Sequence, residues 1–314
     1  MADPTGTATA VPARDSAEFA IVDAHQHFWD LAANYYPWLR DEPPIPFRYG
    51  DYRAIRRTYL PADYRHDSAP YRVVGSVYVE AEWDPADPIG EMRYIDRLRE
   101  EQGLPTVAVA QAWLDHADAP ALLEQQAAFG FVRSVRHKPR ANRAAGDGEP
   151  GGMTDARWRA GFARLAPLGL RFDLQTPWWH LAEAASLAAD FPETQIILNH
   201  TGLPADRSAQ GLAAWQSAMR GLAEQPNVAV KISGLGQSQP NGAWTVAANR
   251  DIVRTTIDCF GVARCMFASN FPVDSLCASF TTIFDGFREI VRDFAVGDQD
   301  ALFRGNALRI YAME

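Results

Sequence analysis

The chain of 314 residues carries a formal net charge of −9, with 47% hydrophobic and 22% charged residues. That balance describes a globular protein with enough apolar material for a sizeable core, and it excludes disordered and collagen-like classes. The acidic total and the lack of a dense Lys/Arg run exclude non-specific nucleic-acid binding, whereas an anionic small molecule stays open because a pocket's charge can oppose the net charge.

In chain order, residues 1–18 mix Ala, Thr, Pro and charges without an apolar centre, and read as a disordered tail rather than a signal peptide. No apolar run approaches the roughly 18 residues that span a bilayer, so no membrane association is expected. From residue 20 onward, short β-branched runs alternate with longer amphipathic ones. The strand candidates are AIVDAHQHF, YRVVGSVYVEA, TVAVAQAWL, FVRSVRHKP, LRFDLQT, TQIILNH, VAVKISG and CMFASNF. Between them lie helix signals. Asp87 can cap and Pro88 can start a helix whose Ile89, Met92, Ile95 and Leu98 share a face, with Gly103 at its exit. Leu212, Trp215, Met219 and Leu222 repeat the period, as do Phe280, Ile283, Phe284, Phe287 and Ile290. These stripes are sheet-packing faces. Repeated βα units without a linker predict an α/β fold, a single (β/α)8 TIM barrel over residues 19–314, with any active site at the C-terminal ends of the strands. A doubly wound sheet is disfavoured, since no G-x-G-x-x-G follows the first strand. The stretch from Leu31 to Pro70, rich in Pro, Tyr and Arg, is too long for a plain connection and is expected to fold over the barrel mouth. Cys259, Cys265 and Cys277, few and odd in number, fit reduced thiols of a cytoplasmic protein.

Four of the seven histidines stand at C-terminal strand ends: His25 and His27 on the first, His137 on the fourth and His200 on the sixth. Alternation puts His25 and His27 on one face, with Asp23 below them and Gln26 opposite. Two imidazoles so placed, with His200 across the barrel, suit a metal site or a proton-transfer site. The second strand ends in Glu80 and Glu82, again on one face. A carboxylate at Glu80 can bind metal, take a proton or cap the following loop. His137 lies amid Arg136, Lys138 and Arg140, which form either a solvated basic loop or a set of cations that hold a carboxylate or polarise a carbonyl, with His137 expected inward. The eighth strand presents Asn270, whose amide cannot act as a general base, and Asp274 four residues later. Tyr35, Tyr36, Trp38, Trp178 and Trp179 offer aromatic surface to a ring-shaped substrate, or serve as core and lid packing.

Together, DAHQHFWD, SVRHKPR, RFDLQT, ILNHTGLP, VKISGL, MFASNFPVD and LFRGNALRIYAM resemble the amidohydrolase-2 branch of the amidohydrolase superfamily, from about Ile21 to the C-terminus. Within it the chain looks most like the lactonases that act on L-fuconolactone, L-rhamnonolactone and pyrone dicarboxylate. The resemblance implies a distorted barrel with His25, His27 and His200 lining the reaction centre. It also implies a metal-binding, water-activating Asp at the end of strand eight, where this chain has Asn270, and a strand-five His, where the nearest polar residues are Asp173 and Gln175.

Two mechanisms follow. In one, His25, His27 and His200 bind a divalent ion, zinc ahead of manganese, and three nitrogens leave a position for water. In the other no metal takes part: histidines and cations polarise a lactone carbonyl while Glu80 or Asp274 activates water. The function expected is hydrolysis of a sugar-acid or related carboxylated lactone. The alternatives are a metal-dependent decarboxylase of an aromatic or muconate-type acid, against which Asn270 counts, and a non-catalytic barrel that binds a small carboxylated ligand. The partner is a small molecule, and monomer or homo-oligomer stays open.

Overall fold

The β-branched runs become eight parallel strands that pair in sequence order. They are β1 Ala20–Gln26, β2 Arg72–Val79, β3 Val107–Gln111, β4 Val132–Arg136, β5 Arg171–Leu174, β6 Ile196–Leu198, β7 Val228–Ile232 and β8 Cys265–Phe267. A helix follows each: α1 Pro61–Ser68, α2 Gly90–Gln102, α3 Ala119–Ala127, α4 Ala156–Phe162, α5 Leu181–Asp190, α6 Ala209–Ala223, α7 Val246–Phe260 and α8 Phe280–Ile290, with α9 Asn306–Ile310 closing the chain. The computed structural model describes residues 19–237 and 243–313; the tail expected over residues 1–18 lies outside them. The arrangement is a (β/α)8 barrel, as the alternation predicted.

Two apolar layers hold it. Val22, Val77, Val79, Val107, Val109, Ile197, Ala229 and Met266 fill the barrel interior with Tyr311 of the C-terminal segment. Phe172, Leu174, Leu198 and Ile232 face outward into the shell of helices. Strands buried on both faces are therefore apolar on both, which is why the sequence shows runs rather than alternation. Phe280, Ile283, Phe284, Phe287 and Ile290 are all buried under α8, and Trp215, Met219 and Leu222 under α6, while Leu212 packs at the edge. Each fully buried side chain of this size contributes about 1.5–3 kcal/mol. Helix α2 starts at Gly90 rather than Pro88, although Asp87 still accepts a hydrogen bond from the Gly90 amide at 3.1 Å.

The β8–β1 seam is where the barrel departs from regularity. The strands meet in one bridge, Gln26 to Phe271, instead of a ladder. The Asp23 carboxylate supplies much of the closure: it accepts from the Ser269 amide at 2.8 Å, the Ser269 hydroxyl at 2.6 Å and the Tyr64 hydroxyl of α1 at 2.9 Å. This corrects the expectation that Asp23 shares a face with His25. The β1–β2 register shifts between Asp23 and Gln26, and that bulge sends Asp23 outward while His25 turns in.

Among the described residues no helix is long and apolar enough to cross a membrane, and the three cysteines are free.

Candidate active site

At the C-terminal strand ends lies a cavity of about 300 Å³, lined by His27, Glu80, Glu82, Arg136, Lys138, Gln175, His200 and Asn270 from the barrel and by Trp38, Ile45, Phe47 and Arg48 from the insertion after β1. The insertion is anchored by the Trp29–Tyr59 bridge. Trp38 stacks on Phe47 with centroids 5.8 Å apart, and its indole nitrogen donates to the Ala81 carbonyl at 2.9 Å. The insertion thus covers the mouth as expected, with an apolar wedge pinned to the segment just after β2.

The three histidines meet. The His25 ring centroid lies 5.0 Å from that of His27 and 4.6 Å from that of His200. His27 Nδ1 sits 2.7 Å from the Val79 carbonyl oxygen. A carbonyl only accepts, so Nδ1 carries the proton and the neutral ring keeps its lone pair on Nε2. His200 Nδ1 faces the Ser233 hydroxyl at 2.9 Å, leaving Nε2 free of it. His25 is fully buried with neither ring nitrogen bonded. Burial is the largest cause holding all three below the ordinary histidine value, His27 down to about 3; the nearby Lys231, Arg48 and Arg136 charges push His25 and His200 the same way. All three imidazoles are uncharged at neutral pH.

Two carboxylates flank them. Glu80 accepts hydrogen bonds from Arg136 Nε at 2.5 Å and from the Glu82 amide at 2.8 Å, so both its oxygens are engaged. Arg136 also reaches the Gln175 side-chain oxygen at 3.0 Å and the Glu80 carbonyl at 2.7 Å. Asp274 stands behind Asn270 on the other side. Its Oδ1 accepts from the Asn270 amide at 2.6 Å and from the Tyr49 hydroxyl at 2.9 Å. Burial raises Asp274 to about 6, against the pull of Arg48 and these donors. Because the Asn270 nitrogen is spent on Asp274, its oxygen is what it can offer a ligand.

The backbone carries strain at the same place. Of the six non-glycine residues with positive φ among the described residues, Glu82, His200, Leu203 and Asn270 line the cavity. Each such conformation costs on the order of 1 kcal/mol, and its concentration at one mouth is what a functional site produces.

Several expectations need correction. His137 does not line this cavity: its Nδ1 accepts from the Leu114 amide at 3.1 Å, and its ring borders an adjoining outer cavity of about 470 Å³ that shares Trp38, Glu80, Arg136 and Lys138 with the inner one. Val135 packs outward into the helix shell, so strand parity sends Arg136 inward instead. Lys138 lines the cavity and pairs with Glu82, whereas Arg140 is exposed and lines neither cavity. Tyr36 is fully buried with its ring edge-on to Trp83, so it is core. Trp178 and Trp179 pack on each other after β5 and also line neither cavity; Tyr35 is exposed and donates to Asp41. Only Trp38 of the aromatic set lines the inner cavity.

Two residues escaped the sequence reading. Arg48 sits in an insertion with many arginines, and no local signal singles it out. Lys231 had one: a lone charge inside the apolar run VAVKI. It is fully buried, 2.6 Å from Asp173, which also accepts from Tyr311 and Asn199. Asp173 therefore belongs to the barrel interior rather than to the cavity.

Among the described residues no group of three or more His, Cys, Asp or Glu side chains is placed to hold an ion. Where the resemblance implies an anionic donor after strand eight, this chain has the neutral Asn270 amide, whose nitrogen donates to Asp274.

The amidohydrolase family model matches residues 22–313, and the chain belongs to that family. The uncharacterized protein y4mH of Sinorhizobium fredii is 40% identical over 94% of this chain and 99% of its own length. An L-fucono-1,5-lactonase of Burkholderia multivorans is 28% identical over 93% of this chain and 96% of its own. A crystal structure of a B. multivorans amidohydrolase with bound zinc superposes with a TM-score of 0.77 at 24% identity, covering 94% of this chain and all of that one.

Proposed function

We propose that this amidohydrolase opens a lactone by attack of water in the cavity beneath the insertion. The observation that carries the reading is a cavity of about 300 Å³ lined by the uncharged imidazoles of His27 and His200, with His25 packed behind them, and by fixed cations, a size suited to a small ring. The likeness to a Burkholderia L-fucono-1,5-lactonase over nearly the whole chain supports it.

Ester hydrolysis needs a polarised carbonyl and a water that gives up a proton. His27 Nε2, with its lone pair fixed by the Val79 contact, accepts a hydrogen bond from water or a ring hydroxyl. Arg136 lies at the cavity wall with guanidinium protons left over after Glu80 and Gln175, and these face the carbonyl oxygen as negative charge builds on it. Asp274 is a positioning residue. When ionised, it holds the Asn270 amide so that its oxygen faces the cavity, and it balances the positive charge that forms as water bonds to the acyl carbon and its proton moves to the imidazoles, which return that proton to the ring oxygen when the acyl C–O bond of the ring breaks. Its pKa of about 6 places that ionised form at and above neutral pH. The zinc of the Burkholderia structure belongs to that protein, and no step of this mechanism runs through an ion.

A panel of γ- and δ-lactones followed by pH-stat tests the reading. Ring opening at least about 10³-fold above buffer, lost in the double change His25→Ala, His27→Ala with the fold retained, is expected. Carbon dioxide release from an aromatic acid without lactone opening would replace it with a decarboxylase.

A further inference from the structure

The cations of the cavity differ in how far their donors are already used. Arg136 is bonded to Glu80 and Gln175, and Lys138 is paired with Glu82. Arg48 makes no hydrogen bond among the described residues: its Nη2 lies 3.8 Å from Asp274 Oδ1, beyond bonding distance, and its Nη1 is buried with no partner. Its guanidinium rests over the Tyr49 ring, 4.7 Å from the centroid.

The surroundings hold that guanidinium in place. Tyr49 ties the insertion to the loop after β8 through Asp274, fixing the backbone beside Arg48. Gly234, at φ +64°, lies under both Arg48 and His200. A Cβ there would fall 2.7 Å from His200 Nδ1 and 3.0 Å from Arg48 Nη2, so glycine lets the two side chains share one wall. A guanidinium fixed this way and left short of acceptors favours a carboxylate, whose two oxygens match its planar fork.

We infer that Arg48 reads a carboxylate on the substrate, so that the ring opened here is an anionic lactone and the insertion's arginine, not the strand-four cations, sets the charge preference. This rests on the lactonase reading for the identity of the ring. Arg48 is then a specificity-determining residue, and its selectivity is read as a ratio between matched substrates.

The experiment compares a δ-lactone bearing a free carboxylate with the same lactone bearing a carboxamide, using the full chain, Arg48→Met and Arg48→Lys. The native protein is expected to favour the carboxylate in kcat/KM by about 100-fold, the scale of truncating one partner of a buried charge pair. Arg48→Met is expected to bring that ratio to within a few fold of unity. Arg48→Lys, a point charge without the fork, is expected to keep about a tenth of it and serves alone if the methionine variant does not fold. Equal rates on the two lactones in the native protein, or an unchanged ratio in the folded variants, overturns the inference while leaving the lactonase reading intact. If no lactone is opened, calorimetry with a ring-opened hydroxy dicarboxylate decides: about 100-fold weaker binding to Arg48→Met supports the role of Arg48, and equal binding removes it.

Discussion

Two of the ion pairs around the cavity are built differently. On the β2–β4 side, Arg136 and Glu80 are 2.5 Å apart, both almost fully buried, and each has further hydrogen bonds to Gln175, Glu82 and the Glu80 carbonyl. On the β8 side, Arg48 and Asp274 are 3.8 Å apart, and an Arg48 nitrogen has no partner. A saturated pair in a low-dielectric wall resists change, because removing either member strands a buried charge. An unsaturated pair can exchange its partner for a ligand at little cost. The first pair serves as scaffold that presents a few leftover protons; the second is where charge can change during a reaction.

Breaking the scaffold pair should give the largest effect. Arg136→Met leaves Glu80 buried and unpaired, and a loss of about 3–5 kcal/mol of folding stability is expected by chemical denaturation. A loss below about 1 kcal/mol would erase the contrast between the two sides. Asp274→Asn should instead lower kcat by about 100-fold at pH 8, on the scale of removing charge stabilisation from a preorganised site. The native rate should climb as pH rises through about 6, where Asp274 ionises, and the variant should lose that rise.

The same substitution carries a stability prediction of the opposite sense. Burial raises Asp274 from its ordinary 3.8 to about 6. Its contribution to folding is therefore fully present below about pH 4 and is lost as pH climbs through 6. An amide does not ionise, so the stability of Asp274→Asn relative to the native chain should improve between pH 5 and pH 8 in melting experiments. Tyr49→Phe removes one hydrogen bond to Asp274 and should cost only about 1 kcal/mol, read as a modest rise in KM when the insertion is less firmly held. The smallest effect belongs to chelation. Prolonged dialysis against a chelator should leave the rate unchanged, and restoration of a lost rate by zinc would move the three imidazoles into a metal site.

Much of this was legible in the sequence for identifiable reasons. The barrel followed from β-branched runs alternating with amphipathic ones, since strands covered on both faces have no other way to be stable. His25, His27 and His200 were found because H-x-H places two rings on one face at a strand end and strand six repeats the position. Arg136 was named as a cation of the mouth, but His137 was expected to be the inward residue, because one residue of register decides which side chain enters the barrel, and that register depends on Val135 packing against helices far away in sequence. The same limit hid the Asp23 bulge, which closes the seam between the first and last strands. Tyr36, Trp178 and Trp179 could not be sorted from Trp38 by composition, since an aromatic under a lid and an aromatic lining a cavity look alike in one dimension. Arg48 was invisible for a related reason: what marks it is a missing partner, and partners come from the fold.

Isotope labelling tests the central claim most directly. With a lactone turned over in H₂¹⁸O, mass spectrometry of the product should show one ¹⁸O, located in the new carboxylate, with no carbon dioxide formed and no label entering in the double change His25→Ala, His27→Ala. Label in the ring hydroxyl, release of carbon dioxide, or turnover that survives loss of both histidines would contradict water attack at the acyl carbon beside these imidazoles.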